Sequence, residues 1–308
     1  MSLSISKLSN NLIMTIFGAA SFGFILGSSL SKTNESLIDR VRLRIASIVL
    51  NSYTALFGDS SSTTKTLKPS EQTITTKTSA RHVAIIMDGN RRYGKAKHGD
   101  ALKGHWDGGQ TLVDCVKWCM EFGVEVFTVY AFSTENWKRP PEEIDLLMSI
   151  FCKFATKCEE EAMENNIKIT VLSTDRNRLP AEVISAINHM EERTIKNTGL
   201  MFNLAVSYGG RSDLVQATQK CIEDVNSGVL SQELLEECNI KQRLSTRDLP
   251  ELDVLIRTSG ERRLSNFLLF ECAYAELFFI DKFWPELTRN DLQEVLNEFD
   301  ERHRRFGR

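Results

Sequence analysis

Residues 82–92 read HVAIIMDGNRR, an apolar run that ends in an acidic residue, a glycine and a pair of arginines. Further apolar runs follow along the chain, each succeeded by polar residues and then by a segment with helical spacing. The six runs are His82–Met87, Val124–Phe132, Ile167–Leu172, Leu200–Ser207, Asp253–Ile256 and Glu276–Ile280. Because these runs are continuously apolar, they predict strands covered on both faces, as in a parallel sheet.

The segments between the runs predict helices that cross over from one strand to the next. They are Leu112–Phe122, Glu142–Asn165, Ala181–Lys196, Asp213–Asn226 and Asn290–Arg305. Residues 81–308 therefore predict one α/β domain, with a central, mainly parallel sheet of about six strands flanked by helices.

Composition excludes several classes of protein. The 308 residues include 38 basic and 41 acidic side chains, a formal charge of −3, which argues against a nucleic-acid partner. The seven cysteines are odd in number and contain no CxxC pair, which indicates reduced thiols rather than disulfides or a zinc site.

Residues 1–57 form a hydrophobic and amphipathic leader, and residues 58–80 are rich in Ser, Thr and Lys, which is typical of a flexible linker. Leu12–Leu30 lacks charge over nineteen residues, nearly enough helix to span a bilayer core. Glu35–Phe57 predicts a basic amphipathic helix, which suits either a membrane surface or ordinary docking onto protein. A membrane anchor, a targeting segment and an apolar but disordered leader all stay open as interpretations.

Arginines collect where the predicted strands end, although the body after residue 80 is acidic. They are Arg91, Arg92, Arg139, Arg211, Arg257, Arg262 and Arg263. In an open parallel sheet, ligands bind beyond the carboxyl ends of the strands, and guanidinium groups suit phosphate oxygens. The chain has no GxxxxGK[ST] motif and no GxGxxG after the first strand, so this rim predicts a site for two or more phosphates that lacks the usual nucleotide loops.

Two features of this rim have two interpretations each. Asp88 follows the first strand, where it is either a Mg²⁺ ligand beside phosphate or an aspartate of a turn. The apolar stretch Leu146–Phe154 is either ordinary core or the wall of a long apolar pocket for a chain attached to the phosphates.

Five blocks of this sequence resemble the cis-prenyltransferases, the family of undecaprenyl and dehydrodolichyl diphosphate synthases. In order, they are HVAIIMDGNRRYGK, YAFSTENWKRP, NLAVSYGGR, LIRTSGERRLSNFLL and AYAELFF, and the resemblance covers residues 81–308. It implies an apolar tunnel for the growing chain beside the sheet. It also implies Mg²⁺-dependent condensation of isopentenyl diphosphate onto an allylic diphosphate such as farnesyl diphosphate, each new double bond being cis.

The resemblance also assigns residues to roles. Asp88 and Asn90 correspond to catalytic positions, Asp88 as a metal ligand and Asn90 in proton removal, and Ser133 and Asn136 join them in a segment that closes over substrate. Diphosphate and substrate binding is implied for Gly89, Arg91, Arg92, His105, Trp137, Arg139, Glu143, Arg257, Arg263 and Ser265. Glu276 corresponds to a metal ligand at the partner subunit's site, and Arg305 and Gly307 to a C-terminal RxG motif that reaches into that site.

This resemblance implies a homodimer with a long polyprenyl product, associated with a membrane, the endoplasmic reticulum being expected and a plastid or other organelle being the alternative. A subunit of a heteromeric synthase and a short-chain cis-prenyl diphosphate synthase are the competing interpretations. A trans-type prenyltransferase does not fit, because the sequence has no DDxxD motif.

Overall fold

A computed structural model describes residues 77–231, 233 and 235–302 of the chain. The leader, most of the linker and the C-terminal residues Arg305 and Gly307 lie outside the described residues.

Six strands form one sheet in the order β3-β4-β2-β1-β5-β6. Every neighbouring pair in this sheet is parallel. The strands are β1 His82–Ile86, β2 Val126–Ser133, β3 Lys168–Leu172, β4 Met201–Tyr208, β5 Val254–Arg257 and β6 Glu276–Phe279. The predicted fold class and the predicted strands are therefore confirmed.

Helices occupy the connections between these strands. The described helices are α1 Asn90–His98, α2 Gly104–Glu121, α3 Pro141–Glu164, α4 Ala181–Thr194, α5 Gly210–Asn226, α6 Glu237–Lys241 and α7 Arg289–Glu301. Three of them differ from the prediction, since α1 and the short α6 are not expected from the sequence and α2 begins at Gly104 rather than at Leu112. The residues of α1 are mostly polar and basic, so no apolar periodicity marks them as a helix.

The sheet is buried on both sides, as its continuous hydrophobicity predicts. All residues of β1 and of β5 are buried. One apolar cluster contains Phe127 and Phe202, whose rings stack at 5.7 Å, and a second contains Tyr130 and Phe267, whose rings stack at 4.4 Å. This packing fixes the strand ends from which the site is built.

One polar residue at the start of β1 is fully buried. The His82 ring lies 2.8 Å from Thr128 Oγ1 and 3.1 Å from the Pro250 carbonyl oxygen. Burial lowers the pKa of His82 to about 4, although the bond to Pro250 opposes this shift.

The last residues before the predicted body are bound to it. The Ser79 backbone N–H donates to Asp300 Oδ1 at 2.9 Å, and the Thr78 hydroxyl donates to the same oxygen at 3.1 Å. Asp300 lies near the end of α7, so that helix holds the entry of the chain into the domain. Within the ranges that the structure describes, no helix has the length and apolar character needed to cross a bilayer.

Candidate functional site

The carboxyl ends of β1, β2 and β5 meet at one edge of the sheet. Asp88 follows β1, and its Oδ2 accepts a hydrogen bond of 2.8 Å from Arg257 Nη2 at the end of β5. Arg257 is buried and also donates to Ser265 Oγ at 2.7 Å. Arg92, one turn into α1, lies 3.5 Å from Asp88 Oδ1 and 3.2 Å from Glu261 Oε1. A carboxylate surrounded by arginines is thus the centre of this edge.

The backbone around Asp88 is fixed from several sides. The Asp88 N–H donates to Thr258 Oγ1 at 3.0 Å, and the Trp284 N–H donates to the Asp88 carbonyl at 2.9 Å. Gly89 has a φ of 104°, and a Cβ there would lie 2.9 Å from the Phe283 ring. Only glycine adopts this positive φ without strain and also leaves room for the Phe283 ring. The turn into α1 therefore depends on glycine at position 89.

A first polar cavity of about 320 Å³ lies on the α1 side of Asp88. It is lined by Met87, Asp88, Gly89, Asn90, Arg91, Arg92, His105 and Arg139. Glu143, buried at the start of α3, accepts hydrogen bonds from Arg91 at 2.7 Å and from Arg139 at 3.1 Å. Glu143 therefore orients two guanidinium groups toward one anion-binding space.

A second polar cavity of about 310 Å³ lies on the β5 side of Asp88. Its polar lining includes Asp88, Ser133, Asn136, Arg257, Arg263 and Ser265. Ser133 and Asn136 bond to each other's backbone N–H groups across the short 3₁₀ helix Thr134–Lys138, at 3.2 and 3.1 Å. Two neighbouring basic cavities with a shared carboxylate can hold two diphosphate groups side by side.

An apolar channel of about 130 Å³ leads away from these cavities between α2, α3 and the sheet. Leu147, Met148, Ile150, Phe151 and Phe154 of α3 line it. The stretch Leu146–Phe154 thus supplies a channel wall as well as core.

A smaller cavity of about 20 Å³ continues in the same direction, and Cys158 lines both spaces. Its other side reaches Lys117 and Glu161, which form an ion pair of 2.9 Å at the surface. Burial raises the pKa of the Cys158 thiol to about 11, so this boundary is uncharged at neutral pH. Cys158 therefore lies between the apolar channel and the smaller cavity.

The channel and both polar cavities meet at Met87, Asn90 and His105, which line all three. Asn90 Oδ1 and His105 Nε2 are buried and have no hydrogen-bond partner among the residues that the structure describes. Such orphaned atoms are rare in folded proteins and indicate a ligand or water. Burial, together with Arg139 and Arg91, lowers the pKa of His105 to about 4, so its ring is neutral at physiological pH.

Glycines of α2 allow this close approach to Asn90. A Cβ at Gly104 would lie 2.0 Å from the Asn90 carbonyl oxygen, and one at Gly108 would lie 2.2 Å from Asn90 Oδ1. These contacts explain why α2 begins with a GHWDGG sequence that resembles a loop. Any larger residue would push α2 away from the junction.

The donor set around Asp88 fits Mg²⁺ only together with a substrate. No group of three or more His, Cys, Asp or Glu side chains that could hold a metal occurs among the described residues. Mg²⁺ is commonly bound by one or two carboxylates, with water and phosphate oxygens completing the octahedron. Asp88, at the boundary of two cavities lined by arginines, matches that pattern.

Several predicted site residues lie apart from this centre. Glu276 is at the amino end of β6, opposite Val254, and forms an ion pair of 2.5 Å with Arg302. Trp137 donates to Ser207 Oγ at 2.9 Å, packs edge-on against the Phe132 ring and does not line the second polar cavity. Within one chain, then, Glu276 is not brought to Asp88. The predicted residues Arg305 and Gly307 fall outside the described residues.

Sequence reasoning missed the residues that support the site from behind. Thr258 and Trp284 hold the Asp88 backbone, and Tyr130 donates to the Tyr208 and Ser265 carbonyls at 3.1 and 3.3 Å. Thr258 lies inside the block LIRTSGERRLSNFLL and Tyr130 begins the block YAFSTENWKRP, but neither block shows which backbone groups these side chains hold. Trp284 lies outside all five blocks, and a buried aromatic side chain is expected in any core.

Comparisons with known proteins agree with this geometry. A family model described as putative undecaprenyl diphosphate synthase matches residues 86–307. The chain is 40% identical over 227 residues to a ditrans,polycis-undecaprenyl-diphosphate synthase, (2E,6E)-farnesyl-diphosphate specific, from Micrococcus luteus, covering 74% of this chain and 91% of that protein. It is 41% identical over 230 residues to a geranylgeranyl-diphosphate-specific tritrans,polycis-undecaprenyl-diphosphate synthase from Pyrococcus abyssi, covering 74% of this chain and 87% of that protein.

A solved structure shares the fold. Lavandulyl diphosphate synthase from Lavandula x intermedia, in complex with dimethylallyl diphosphate, superposes with a TM-score of 0.72 at 33% sequence identity. The match covers 74% of this chain and 98% of that one.

Proposed function

The chain belongs to the undecaprenyl diphosphate synthase family and is a cis-prenyltransferase, and we propose that it elongates farnesyl diphosphate with isopentenyl diphosphate. The proposed reaction requires Mg²⁺, and its product is a long-chain polyprenyl diphosphate of the dehydrodolichyl or undecaprenyl type. The observation that carries the proposal is the junction at Asn90 and His105. Two basic cavities and one apolar channel open there, which matches two diphosphate groups and one growing hydrocarbon chain.

The allylic diphosphate occupies the first polar cavity, with its hydrocarbon tail in the apolar channel. Arg91 and Arg139, oriented by Glu143, then face the phosphate oxygens, and Gly89 leaves space for them above the turn. As the bond between the allylic carbon and oxygen breaks, negative charge grows on the leaving diphosphate. Preorganised donors stabilise that charge, each being worth about 3 kcal/mol in comparable sites.

Isopentenyl diphosphate occupies the second polar cavity, with its phosphates against Arg257, Arg263 and Ser265. Its double bond then lies near the junction and attacks the allylic carbon. A proton passes from the carbon next to the one that bears the diphosphate to an oxygen of the diphosphate released from the allylic substrate. Asn90 orients this transfer, and the neutral His105 ring, as the Nε2–H tautomer, donates a hydrogen bond to the diphosphate.

Asp88, together with phosphate oxygens, would hold Mg²⁺, which would supply charge neutralisation and Lewis acidity at the diphosphates. The chain's own contribution at that point is to hold Asp88 by its backbone bonds to Thr258 and Trp284. Within one chain Glu276 lies away from Asp88, so it would complete a metal and substrate site only in a homodimer. We propose that homodimer as part of the same function.

A short-chain product is a second candidate, because the channel is small. A cavity of about 150 Å³ holds a ligand the size of benzene, so a channel of about 130 Å³ fits only the first part of a polyprenyl tail. A long product requires α3 to move outward or the Cys158 side chain to move out of the channel. The lavandulyl diphosphate synthase complex with dimethylallyl diphosphate shows that this fold is compatible with a small allylic substrate.

The leader belongs to the same proposal. A basic amphipathic segment and an uncharged stretch suit a membrane that receives a polyprenyl product, and we place the enzyme at the cytosolic face of the endoplasmic reticulum. Imaging of the full chain fused to a fluorescent protein tests this location, and a plastid pattern would contradict it.

The experiment uses the full chain with Mg²⁺, labelled isopentenyl diphosphate and separate starters: dimethylallyl, geranyl, farnesyl and geranylgeranyl diphosphate. Extracted products are sized by mass spectrometry. We expect farnesyl diphosphate to give a series that ends at one long polyprenyl length. Products that stop after one or two additions would establish the short-chain candidate. No incorporation by folded protein would overturn a self-sufficient synthase in favour of a heteromeric subunit.

A further inference from the structure

Asn266 occupies an unusual backbone conformation beside the second polar cavity. Its φ is 65°, and Ser265 before it has a φ of 49°, so two consecutive residues lie in the left-handed region. Asparagine tolerates that region better than most residues, because its short amide can hydrogen-bond locally. Here the amide bonds to other segments of the rim.

Three hydrogen bonds join Asn266 to two neighbouring strand-end segments. Its Nδ2 donates to Glu135 Oε1 at 2.8 Å, in the 3₁₀ helix that follows β2. Its Oδ1 accepts from the Arg211 N–H at 2.8 Å, and its carbonyl accepts from the Gly210 N–H at 2.7 Å, both after β4. Asn266 therefore connects the ends of β2, β4 and β5.

The sequence makes room for this amide. A Cβ at Gly209 would lie 2.8 Å from Asn266 Nδ2 and 2.7 Å from Thr134 Oγ1. One at Gly210 would lie 3.2 Å from the Asn266 carbonyl oxygen. Because Gly209 and Gly210 lack side chains, Asn266 and the 3₁₀ helix Thr134–Lys138 can both pack closely against the backbone that follows β4.

The bond between Glu135 and Asn266 lies beside the second polar cavity, which neither of the two residues lines. Asn136, next to Glu135, lines one wall, and Ser265, next to Asn266, lines the other. Partial burial of Glu135 would raise its pKa. The hydrogen bonds that it accepts from Asn266 and from nearby groups outweigh this effect, so the pKa of Glu135 lies below its ordinary value. Glu135 is thus an anionic acceptor for this amide.

We propose that Asn266 is a positioning residue that sets the separation of these two walls and so the affinity for isopentenyl diphosphate. The proposal rests on the proposed function of the second cavity as the isopentenyl diphosphate site. It predicts a selective effect, because neither Asn266 nor Glu135 lines the first polar cavity. The KM for isopentenyl diphosphate should rise while the KM for the allylic starter stays nearly constant.

The test exchanges donor and acceptor. Asn266→Asp keeps an acceptor for Arg211 but places two carboxylates together, and we expect it to raise the KM for isopentenyl diphosphate about tenfold, the scale of one charge-assisted hydrogen bond. Glu135→Gln in the same chain restores a donor opposite the new acceptor. We expect the double variant to return to within about threefold of the wild-type KM. Asn188→Asp, on the exposed face of α4, is the matched control and should change neither KM.

Specific outcomes overturn the proposal. An unchanged KM in the folded Asn266→Asp variant would do so, as would a double variant no better than the single one. If Asn266→Asp does not fold, Glu135→Ala removes the bond from its exposed end and must raise the same KM. Wild-type protein is assayed in parallel, so that absence of any product is a failure of the proposed function and not of the role of Asn266.

Discussion

Replacing Asp88 by asparagine separates the role of its charge from the role of its shape. The side chain stays the same size, and the backbone stays bound to Thr258 and Trp284. What is lost is the carboxylate 2.8 Å from the buried Arg257 guanidinium. We therefore expect a folded protein with a changed electrostatic balance at the junction of the two polar cavities.

The structure sets the size of two effects. Leaving Arg257 without its anionic partner costs about 2 kcal/mol of unfolding free energy, because Asp88 is partly exposed and water can replace some of the interaction. For a domain of this size that loss lowers the Tm by about 4–8 °C. Losing the proposed metal ligand should lower kcat about a hundredfold or more, the usual scale for a group that stabilises a leaving anion.

The KM values provide the discriminating measurement. Without Asp88 the arginines face the diphosphates with one negative charge fewer beside them, so the KM for the allylic starter should not rise. Steady-state kinetics with labelled isopentenyl diphosphate, alongside a thermal melt, measures both quantities. A kcat above about a tenth of the wild-type value would show that Asp88 is not the metal ligand, because a hundredfold loss is expected. So would a large rise in KM with kcat unchanged.

Three further predictions concern other parts of the domain. Glu143→Gln should raise the KM for the allylic starter about tenfold by releasing two oriented guanidinium groups, and an unchanged KM in kinetic assays would contradict that role. Cys158→Phe should shorten the products sized by mass spectrometry, whereas Cys152→Phe on the same helix, outside the channel lining, should not; equal product lengths would exclude a restriction there. Because the folded pKa of His82 lies below its unfolded value of about 6.5, the unfolded chain binds the extra proton, so stability falls as pH drops from about 6.5 to about 4. Denaturant titrations should show about 2 kcal/mol lost between pH 7 and pH 5 through this residue, and His82→Asn should show a correspondingly smaller loss.

The strands could be predicted because burial on both faces leaves a strong local signal. Val83 to Ile86 are all apolar and nearly inaccessible, and the same holds for most of β2, β4 and β5. The positions of Asp88 and Arg257 at neighbouring strand ends follow from parallel pairing alone. That much of the site is therefore encoded in the order of strands and arginines.

The remaining features depend on contacts between distant residues. The helix α1 contains mostly polar residues and starts after a left-handed glycine, so its existence depends on packing against α2 at Gly94 and Gly104. The convergence of three cavities at Asn90 depends on Gly108, whose role appears only when the two helices are placed together. Asn266 lies in the block LIRTSGERRLSNFLL, but the sequence does not show that it bonds to the segments that follow β2 and β4. Such features are tertiary, and no local pattern predicts them.

In the proposed reaction two diphosphates bind side by side, one in each polar cavity. Isothermal titration of the full chain with Mg²⁺ tests it directly, using farnesyl thiolodiphosphate, whose bridging sulfur resists ionisation, followed by isopentenyl diphosphate. We predict that isopentenyl diphosphate binds with full stoichiometry to protein already saturated with the farnesyl analogue. If isopentenyl diphosphate displaces the analogue, so that only one diphosphate is bound per chain at a time, the two polar cavities are not separate diphosphate sites.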